Sequence, residues 1–341
     1  MSLLKPSSNR GRIFLNPVPT KVVGISTVFK LLPEYVSQHE ETEPRKQLGS
    51  FPTDASIYAS PPASGLRVTW FGHSSLLIEI DGVRVLIDPI WEERAGPYRW
   101  LGPKRFFPPT LPLEELPRID VVLISHDHYD HLGARTVHRL SQLQPAMKWV
   151  TSLGVGARLH GFGIPMEQIT EMDWTQSTEV SGKDGSLRIT SWPSRHFSGR
   201  TAFDRFSTLW AAFVLEGRQH RIYYGADSGY WDGFAEIAER YEGFDLTMLE
   251  IGAFHPLWAA IHLGPDGAAR AFEAMGGNER SGLLMPIHWG LFNLALHAWR
   301  QPIRRLTEIA SEKGWKLWSP RPGAPTEVNR GQELTSGWYS E

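Results

Sequence analysis

Residues 125–133 read SHDHYDHLG and directly follow an apolar run, Ile119–Ile124, that has the pattern of a buried strand. Four potential metal ligands fall within six residues of this segment: His126, His128, Asp130 and His131. Burying these polar groups together would be costly, and a metal ion is the simplest compensation. The segment therefore predicts a metal site, in preference to a solvated histidine-rich loop.

Three further candidate ligands lie just beyond apolar strand patterns. His196 follows Leu187–Trp192, Asp227 follows Tyr223–Ala226, and His288 follows Leu283–Ile287. In α/β proteins the loops at the carboxyl ends of strands converge on one edge of the sheet and bind ligands there. We therefore expect these residues to join the 126–131 cluster in a single site.

The composition limits the kind of site and the class of partner. The chain has 341 residues and no cysteine, so a transition-metal site must use histidine and carboxylate ligands. Lys and Arg total 35 against 37 Asp and Glu, and a net charge of -2 gives no global reason to bind nucleic acid. Because the sequence has neither a signal-peptide pattern nor an apolar run of bilayer length, we expect a cytoplasmic protein. The oligomeric state is not indicated by the sequence.

Two regions differ in character. Residues 1–64 are rich in proline and predict an extension that wraps the domain or is partly mobile, whereas residues 65–341 predict one large domain. Within the extension, Val22–Val36 has the apolar pattern of an amphipathic helix; packing on its own domain is preferred, and a peripheral membrane contact is the alternative.

The second region alternates strand and helix patterns. An Asp81-Gly82 turn predicts a hairpin between its second and third strands. The predicted strands are Leu66–Phe71, Ser75–Ile80, Val83–Ile87, Ile119–Ile124, Leu187–Trp192, Leu209–Leu215, Arg221–Tyr224, Leu246–Leu249 and Leu283–Ile287. The predicted helices are Ala134–Leu143, Phe234–Tyr241, Asp266–Met275 and Ile303–Lys313. Opening strands followed by strand–helix alternation indicate an α/β fold of packed sheets with helices outside.

The order H-x-H-x-D-H, then His, Asp and His, resembles the metallo-β-lactamase superfamily. This resemblance implies a four-layer αβ/βα sandwich whose active site holds two divalent metal ions, with zinc the favoured identity. In that family pattern the first ion is held by His126, His128 and His196, the second by Asp130, His131 and His288, and Asp227 bridges the two.

Such a ligand set leaves room for a bridging hydroxide that could attack a phosphodiester, an ester or a lactone. As a second and weaker role, Asp130 could accept a proton from the bridging water through its free oxygen. Asp130 is thus a candidate catalytic residue as well as a candidate ligand.

A narrower resemblance is to N-acyl-phosphatidylethanolamine-hydrolysing phospholipase D and its bacterial relatives. It covers residues 66–318 and is carried by RVTWFGH (67–73), IDP (87–89), GPKRF (102–106), ELPRID (115–120), SRH (194–196), ADSGY (226–230), FDL (244–246), IGA (251–253) and IHWG (287–290). Two departures concern the substrate: Asp127 stands where the mammalian enzymes have an Asn-like residue, and His255–Trp258 replaces a Glu-Pro-Arg-Trp-like segment.

The resemblance also implies roles for three residues outside the ligand set. Asp88 would orient a metal-binding histidine, His73 would lie near the metals or support its own loop, and His262 would contact phosphate or protonate a leaving alkoxide. The alternatives are a turn-forming aspartate and two structural histidines.

One aromatic loop has two interpretations. Trp91, Trp100, Phe106 and Phe107, with Lys104 and Arg105, could form an apolar pocket wall with a phosphate-attracting rim, or the aromatic residues could simply cover a sheet edge.

The favoured function is a dinuclear zinc phosphodiesterase of phospholipase D-like type, acting on a small-molecule or lipid-like phosphodiester. A lactonase or carboxylic-ester hydrolase is the alternative, because the same metals can attack a carbonyl. A flavodiiron-type redox protein is less favoured, since that group tends to carry Glu where His128 stands. A non-catalytic metal binder is also less favoured, because the whole ligand set is present.

Overall fold

The computed structural model describes residues 2–22, 41–329, 334 and 337–340, and most of its strands belong to two sheets. The strands are β1 (Ser8–Arg10), β2 (Ile13–Leu15), β3 (Leu66–Gly72), β4 (Ser75–Ile80), β5 (Val83–Ile87), β6 (Val121–Ile124), β7 (Lys148–Ser152), β8 (Ile169–Met172), β9 (Ser177–Ser181), β10 (Ser186–Trp192), β11 (Ala212–Glu216), β12 (Arg221–Tyr224), β13 (Leu246–Glu250), β14 (Leu283–Ile287) and β15 (Thr326–Glu327). The short pair β1–β2 stands apart as a ribbon of its own.

Each sheet is antiparallel on one side and parallel on the other. The seven-stranded sheet has the order β15-β3-β4-β5-β6-β7-β8 and is parallel from β5 onward. The six-stranded sheet has the order β14-β13-β12-β11-β10-β9 and is parallel across β12, β13 and β14. Parallel strands end at the same edge of a sheet, so the loops after β5 and β6 share one edge of the first sheet, and the loops after β12 and β14 share one edge of the second.

The alternation of side chains along β6 separates two core layers. Val121 and Leu123 belong to the cluster that also contains Ile189 and Val214 of the other sheet, so these side chains fill the space between the sheets. Val122 and its neighbour Ile124 belong to a second cluster on the outer face. Both faces of this strand are buried, which explains its continuous apolar sequence.

Helices cover the outer faces. They are α1 (Ala134–Leu143), α2 (Val155–Gly161), α3 (Gly233–Glu239), α4 (Gly264–Ala274), α5 (Gly277–Ser281) and α6 (Gln301–Lys313). Apolar residues of α1 and α2, such as Val137 and Leu159, pack on the seven-stranded sheet. On the other side α4 packs on β13 and α6 packs on α4. The resulting order, helices–sheet–sheet–helices, confirms the predicted four-layer α/β sandwich.

Most predicted elements are confirmed, including the hairpin turn at Asp81-Gly82. The strand predicted at Leu209–Leu215 begins only at Ala212, because Leu209 donates its backbone N–H to Leu153, which lies outside the six-stranded sheet. Pattern reasoning missed the strands β1, β2, β7, β8, β9 and β15, and the short helices α2 and α5. The helix predicted at Val22–Val36 lies outside the described residues, apart from Val22. In the described part of the chain, none of the helices combines the length and apolar character that a bilayer-spanning segment needs.

The first residues of the chain contact both the domain surface and the edge where the loops converge. The backbone N–H of Leu3 donates to Glu236 of α3. Farther along, Asn16 donates through Nδ2 to the carbonyl oxygen of His196 at 2.7 Å. Arg195 in turn donates to the hydroxyl of Thr20. The 1–64 boundary stays a prediction.

The C-terminal residues pack behind the loop that follows β14. Trp338 is buried and lies 5.4 Å from the ring of Trp289 and 5.8 Å from that of Trp70. Gly290, at φ 74°, lies under these indoles, where an added Cβ would approach both Trp338 and Trp70 closely. The last described segment therefore fixes the shape of the 288–290 loop.

At the opposite end from the convergent loops, Asp81 joins the two sheets. It occupies the β4–β5 turn, and its carboxylate accepts hydrogen bonds from the backbone N–H groups of Gln219 and His220 and from the His220 ring, just before β12. Burial opposes its ionisation, but these hydrogen bonds outweigh burial and lower the pKa of Asp81.

We expect Asp81→Asn to lower the free energy of unfolding at pH 7 by about 1–2 kcal/mol, because Asn cannot satisfy all three donors. A depressed folded-state pKa adds stability that is present above the unfolded pKa of about 4 and is lost as pH falls through the folded value. The difference in the free energy of unfolding between wild type and variant, measured with urea, should therefore become smaller below about pH 4. Asp184→Asn, at an exposed position on the neighbouring loop, is the matched control. If both changes had an equal effect, the stabilising role of the Asp81 hydrogen bonds would be contradicted.

Candidate metal centre

The first group of converging side chains comes from three loops. His126 and His128 follow β6, His196 follows β10, and Asp227 follows β12; one ligand atom from each lies within 4.8 Å of all the others. Asp227 Oδ2 is 3.6 Å from His196 Nε2 and 3.8 Å from His126 Nε2. All four side chains are buried or nearly so. The structure thus brings these four residues together, as their positions after strand ends predicted.

The second group lies beside the first and approaches the same carboxylate. It contains His73, Asp130, His131 and His288, again with ligand atoms within 4.8 Å of one another. His288 Nε2 is 3.0 Å from Asp227 Oδ2, and His131 Nε2 is 3.3 Å from Asp227 Oδ1. Asp227 therefore lies against both groups, in the position that the family pattern assigns to a bridging ligand.

Several buried atoms in the two groups lack hydrogen-bond partners among the described residues. These atoms are His131 Nε2, His288 Nε2 and Asp227 Oδ1. Each lies 3.0–3.5 Å from a histidine nitrogen or carboxylate oxygen of the cluster, but without the geometry of a hydrogen bond. Orphaned buried donors and acceptors are costly unless a ligand satisfies them. The arrangement therefore fits metal ions, and histidine with carboxylate suits zinc, iron or manganese.

The other ring nitrogen of several candidate ligands is already engaged. His131 Nδ1 lies 2.8 Å from Asp88 Oδ2, and His196 Nδ1 donates to the carbonyl oxygen of Ile261. Such contacts fix the tautomer and leave Nε2 as the free coordinating atom. The structure therefore orients both imidazoles as a metal would require.

Electrostatics divides the histidines into two sets. Burial lowers the pKa of His126 and His196 well below the usual value, which keeps these rings neutral. Burial also acts on His288, but the charge of Asp227 outweighs it and raises the pKa of His288 to about 10. The pKa of Asp227 is held well below its usual range, because His131 and His288 outweigh the cost of burial. The carboxylates thus require positive charge at this point, which protons or metal ions can supply.

Asp88 accepts hydrogen bonds from several residues that lie next to the candidate ligands or belong to them. Its Oδ2 accepts from the hydroxyls of Ser125 and Tyr224, both at 2.6 Å, and from His131 Nδ1, while Oδ1 accepts from the Ser125 backbone N–H. Tyr224 belongs to the other sheet, so Asp88 also ties the two sheets together. The structure places Asp88 where the resemblance implies an orienting partner, and it is more than a turn-forming residue.

His73 lies among the candidate ligands. Its Nε2 is 2.9 Å from Asp130 Oδ2, its ring lies 4.1 Å from that of His288, and it is fully buried. His73, Asp88 and His288 all adopt positive φ, between 38° and 61°, as does Ala226 immediately before Asp227. Left-handed backbone in residues other than glycine is strained and is concentrated at functional sites.

Asp127 does not join the metal cluster. It is fully buried and points the other way, where it accepts from the backbone N–H of Gly199 and pairs with Arg158. Arg200 donates to the carbonyl oxygen of Asp127 and stacks 3.9 Å from the ring centroid of Tyr129. Asp127 therefore anchors the 199–204 loop to the metal-binding loop.

Sequence reasoning missed Glu250. This residue ends β13, is fully buried, and lies 2.7 Å from His262 Nδ1 and 3.7 Å from His288 Nδ1. A carboxylate that closes an otherwise apolar run, Leu246–Leu249, was the available signal, but a single residue has no spacing pattern. His262 itself lies beside the cluster, with its ring 4.9 Å from that of His196.

A cavity of about 300 Å³ opens onto the metal centre. Its lining includes His128, Asp130, Asp227, His262 and His288, together with Arg205 and the apolar residues Val22, Phe197, Ala253, Trp258, Ile261 and Leu294. The cavity thus combines the polar side chains of the candidate metal centre with an apolar lining and the positively charged Arg205.

The aromatic loop of residues 91–107 does not line this cavity, so its interpretation as a phosphate-attracting wall is wrong. Phe107 and Arg105 are buried, and Lys104 pairs with Glu93 at the surface. Trp100 is 74% exposed and stacks on Tyr98. Phe106 and Phe107 are buried in the apolar core, so this part of the loop covers the sheet and does not line the cavity.

Comparisons with known proteins agree with this geometry. The family described as Beta-lactamase superfamily domain matches residues 83–289. The chain is 41% identical over 305 residues to an uncharacterised protein of Mycobacterium tuberculosis, covering 89% of this chain and 79% of that one. It is 33% identical over 318 residues to the N-acyl-phosphatidylethanolamine-hydrolyzing phospholipase D 1 of Caenorhabditis elegans, covering 89% and 88%. The fold is similar to that of a metallo hydrolase from Ignicoccus hospitalis, with a TM-score of 0.58 and 21% identity over 77% of this chain and 98% of that one.

We expect Asp88→Asn to weaken metal binding by about 10–100-fold, because the amide cannot accept all the hydrogen bonds that orient His131 and Ser125. Competition with a chromophoric chelator would measure this affinity, and circular dichroism would verify the fold. Asp54→Asn, an exposed residue remote from the cluster in sequence and contacts, is the control. Unchanged affinity in Asp88→Asn would show that Asp88 does not orient the ligands.

Proposed function

The chain belongs to the beta-lactamase superfamily of metal-dependent hydrolases, and on that premise we propose that it is a dinuclear zinc phosphodiesterase of phospholipase D-like type. The observation that carries the proposal is the pair of ligand groups that meet at Asp227 beneath one cavity. The 33% identity with a phospholipase D over 89% of the chain supports the phosphodiester substrate.

Seven side chains would hold the two ions. One ion would lie among His126, His128 and His196, the other among Asp130, His131 and His288, with Asp227 between them. When bound, such ions lower the pKa of water and polarise the phosphoryl oxygen. His73 is placed to support Asp130 through their 2.9 Å contact, and it is not needed as a ligand.

Asp130 is the acidic ligand most open to the cavity. Its side chain is 14% exposed, against 2% for Asp227. We assign it, beyond metal binding, the acceptance of a proton from the attacking water. Its contact with His73 fixes the carboxylate and leaves its open side toward the substrate.

His262 is assigned the transfer of a proton to the leaving oxygen. It lines the cavity, its side chain is 12% exposed, and its Nδ1 is engaged with Glu250. The opposite nitrogen, Nε2, is therefore the one that faces substrate. A general acid at this position lowers the cost of expelling an alkoxide.

The apolar walls indicate the substrate class. Phe197, Trp258 and Leu294 line the cavity together with the polar side chains of the candidate metal centre. A phosphodiester with an apolar substituent would place its charge over the metals and its hydrocarbon against these walls. A small or lipid-like phosphodiester is thus the proposed substrate.

The test is to measure turnover of bis(4-nitrophenyl) phosphate, N-acyl-phosphatidylethanolamine and a lactone panel with one zinc-loaded preparation, before and after chelation. We expect phosphodiester turnover that chelation abolishes and zinc restores. His196→Ala should lower kcat by at least about 10³-fold, since it removes a ligand. His138→Ala, on the exposed face of α1, is the control. Turnover of lactones alone would identify a lactonase instead.

A second prediction concerns His262. His262→Asn should slow cleavage of a phosphodiester with an alkyl leaving group by about 10²-fold or more, because that oxygen must be protonated as it leaves. Loss of a 4-nitrophenolate group needs no proton, so its rate should change little. Steady-state kinetics on the two substrates measures the difference. Equal losses on both would exclude His262 as the general acid.

A further inference from the structure

Glu250 is a buried carboxylate whose hydrogen bonds are all directed at the loops of the metal centre. Its Oε1 accepts from the backbone N–H groups of Ser228 at 2.8 Å and Leu263 at 3.1 Å. Its Oε2 lies 2.7 Å from His262 Nδ1. The residue is 0% exposed, and a carboxylate is retained at such depth only when its contacts compensate the lost hydration.

These contacts join two segments that the chain separates widely. Ser228 directly follows Asp227, and Leu263 directly follows His262. By binding one N–H from each, Glu250 holds His262 at a fixed distance from the Asp227 loop. Two backbone donors and one ring donor leave its side chain no freedom to rotate, so its effect on His262 is one of geometry.

We propose that Glu250 is a positioning residue for the reaction, one that holds His262 with Nδ1 protonated and Nε2 turned to the cavity. The inference rests on the proposed function for the role of His262 in catalysis. His262 lines the cavity, whereas Glu250 is absent from its lining among the described residues. Glu250 therefore acts on substrate only through the histidine.

The proton transfers balance with this arrangement. Water adds its hydroxyl to phosphorus and gives its other proton to Asp130, while the phosphorus–oxygen ester bond breaks and its electron pair goes to the leaving oxygen. The imidazolium form of His262 donates its Nε2 proton to that oxygen and keeps its Nδ1 proton, which stays hydrogen-bonded to Glu250. The proton on Asp130 returns to His262 through solvent, and the products are a phosphomonoester and an alcohol.

The competing role for Glu250 is metal coordination. Its ligand atom lies within 4.8 Å of those of Asp227, His262 and His288. The three hydrogen bonds favour the positioning role, because each of its oxygens already accepts at least one of them. The metal content of Glu250→Gln distinguishes the two roles, because only loss of a ligand should lower it.

The kinetic experiment compares Glu250→Gln, His262→Asn and the double variant on the alkyl and 4-nitrophenyl phosphodiesters. We expect Glu250→Gln to lower kcat by about 10–100-fold on the alkyl substrate and by less than about threefold on the 4-nitrophenyl one, with KM and zinc content unchanged. The double variant should be no slower than His262→Asn alone. Glu79→Gln, which removes a buried carboxylate in the other sheet, should leave the leaving-group dependence unchanged.

A second measurement uses the wild-type chain and needs no turnover. Long-range proton–nitrogen NMR spectra of histidine-labelled protein should show that His262 is protonated at Nδ1. The His262 signal is identified because it is missing from the spectrum of His262→Asn. If Glu250→Gln folds, the tautomer of His262 in that variant should differ from that in the wild type. Protonation of neutral His262 at Nε2 alone would overturn the proposal. So would equal rate losses on both substrates, additive losses in the double variant, or loss of zinc. Absence of wild-type phosphodiester turnover would refute the proposed function separately, while the spectra still decide the position of the proton.

Discussion

The carboxylate of Asp227 is the contact on which the arrangement of the site depends. It lies at the end of β12, with imidazoles from the β6, β10 and β14 loops within 3.0–3.8 Å of its oxygens. The Asp227 side chain is only 2% exposed, and a buried carboxylate of this kind is stable only when positive charge beside it compensates its lost hydration. The convergence of parallel strand ends on this edge is therefore what makes the buried cluster possible, and the remainder of the sandwich keeps those ends in register.

A second requirement is that two separate sheets hold their edges at a fixed separation. Asp88 meets it at the site end, through Ser125 of one sheet and Tyr224 of the other. Asp81 meets it at the far end, through the residues that precede β12. Between them lies the apolar layer shared by both sheets. Two carboxylates thus join the two sheets at opposite ends of the apolar core.

The sequence was most informative where chemistry and periodicity coincide. The convergence of the candidate ligands could be predicted because each follows a strand pattern, and strand ends meet at one edge of the sheet in α/β folds. Glu250 could not be predicted in this way, since one carboxylate in an apolar run has no spacing to recognise. The loop containing Phe106 and Phe107 was open to two interpretations because composition does not tell which face an aromatic residue turns to. The strands β7 to β9 escaped notice because polar residues interrupt their apolar pattern. These residues are exposed or half-buried in β8 and β9, whereas Thr151 and Ser152 of β7 are buried.

The left-handed backbone at His73, Asp88 and His288 restricts how this centre could be redesigned. Histidine, asparagine and aspartate tolerate that conformation better than other side chains, and most alternatives add about 1–2 kcal/mol of backbone strain. An exchange of His288 for aspartate would thus keep the chain path, whereas glutamate would add strain to any change in affinity. Retuning the preferred metal by ligand exchange is therefore governed by the main chain as much as by the donor atom.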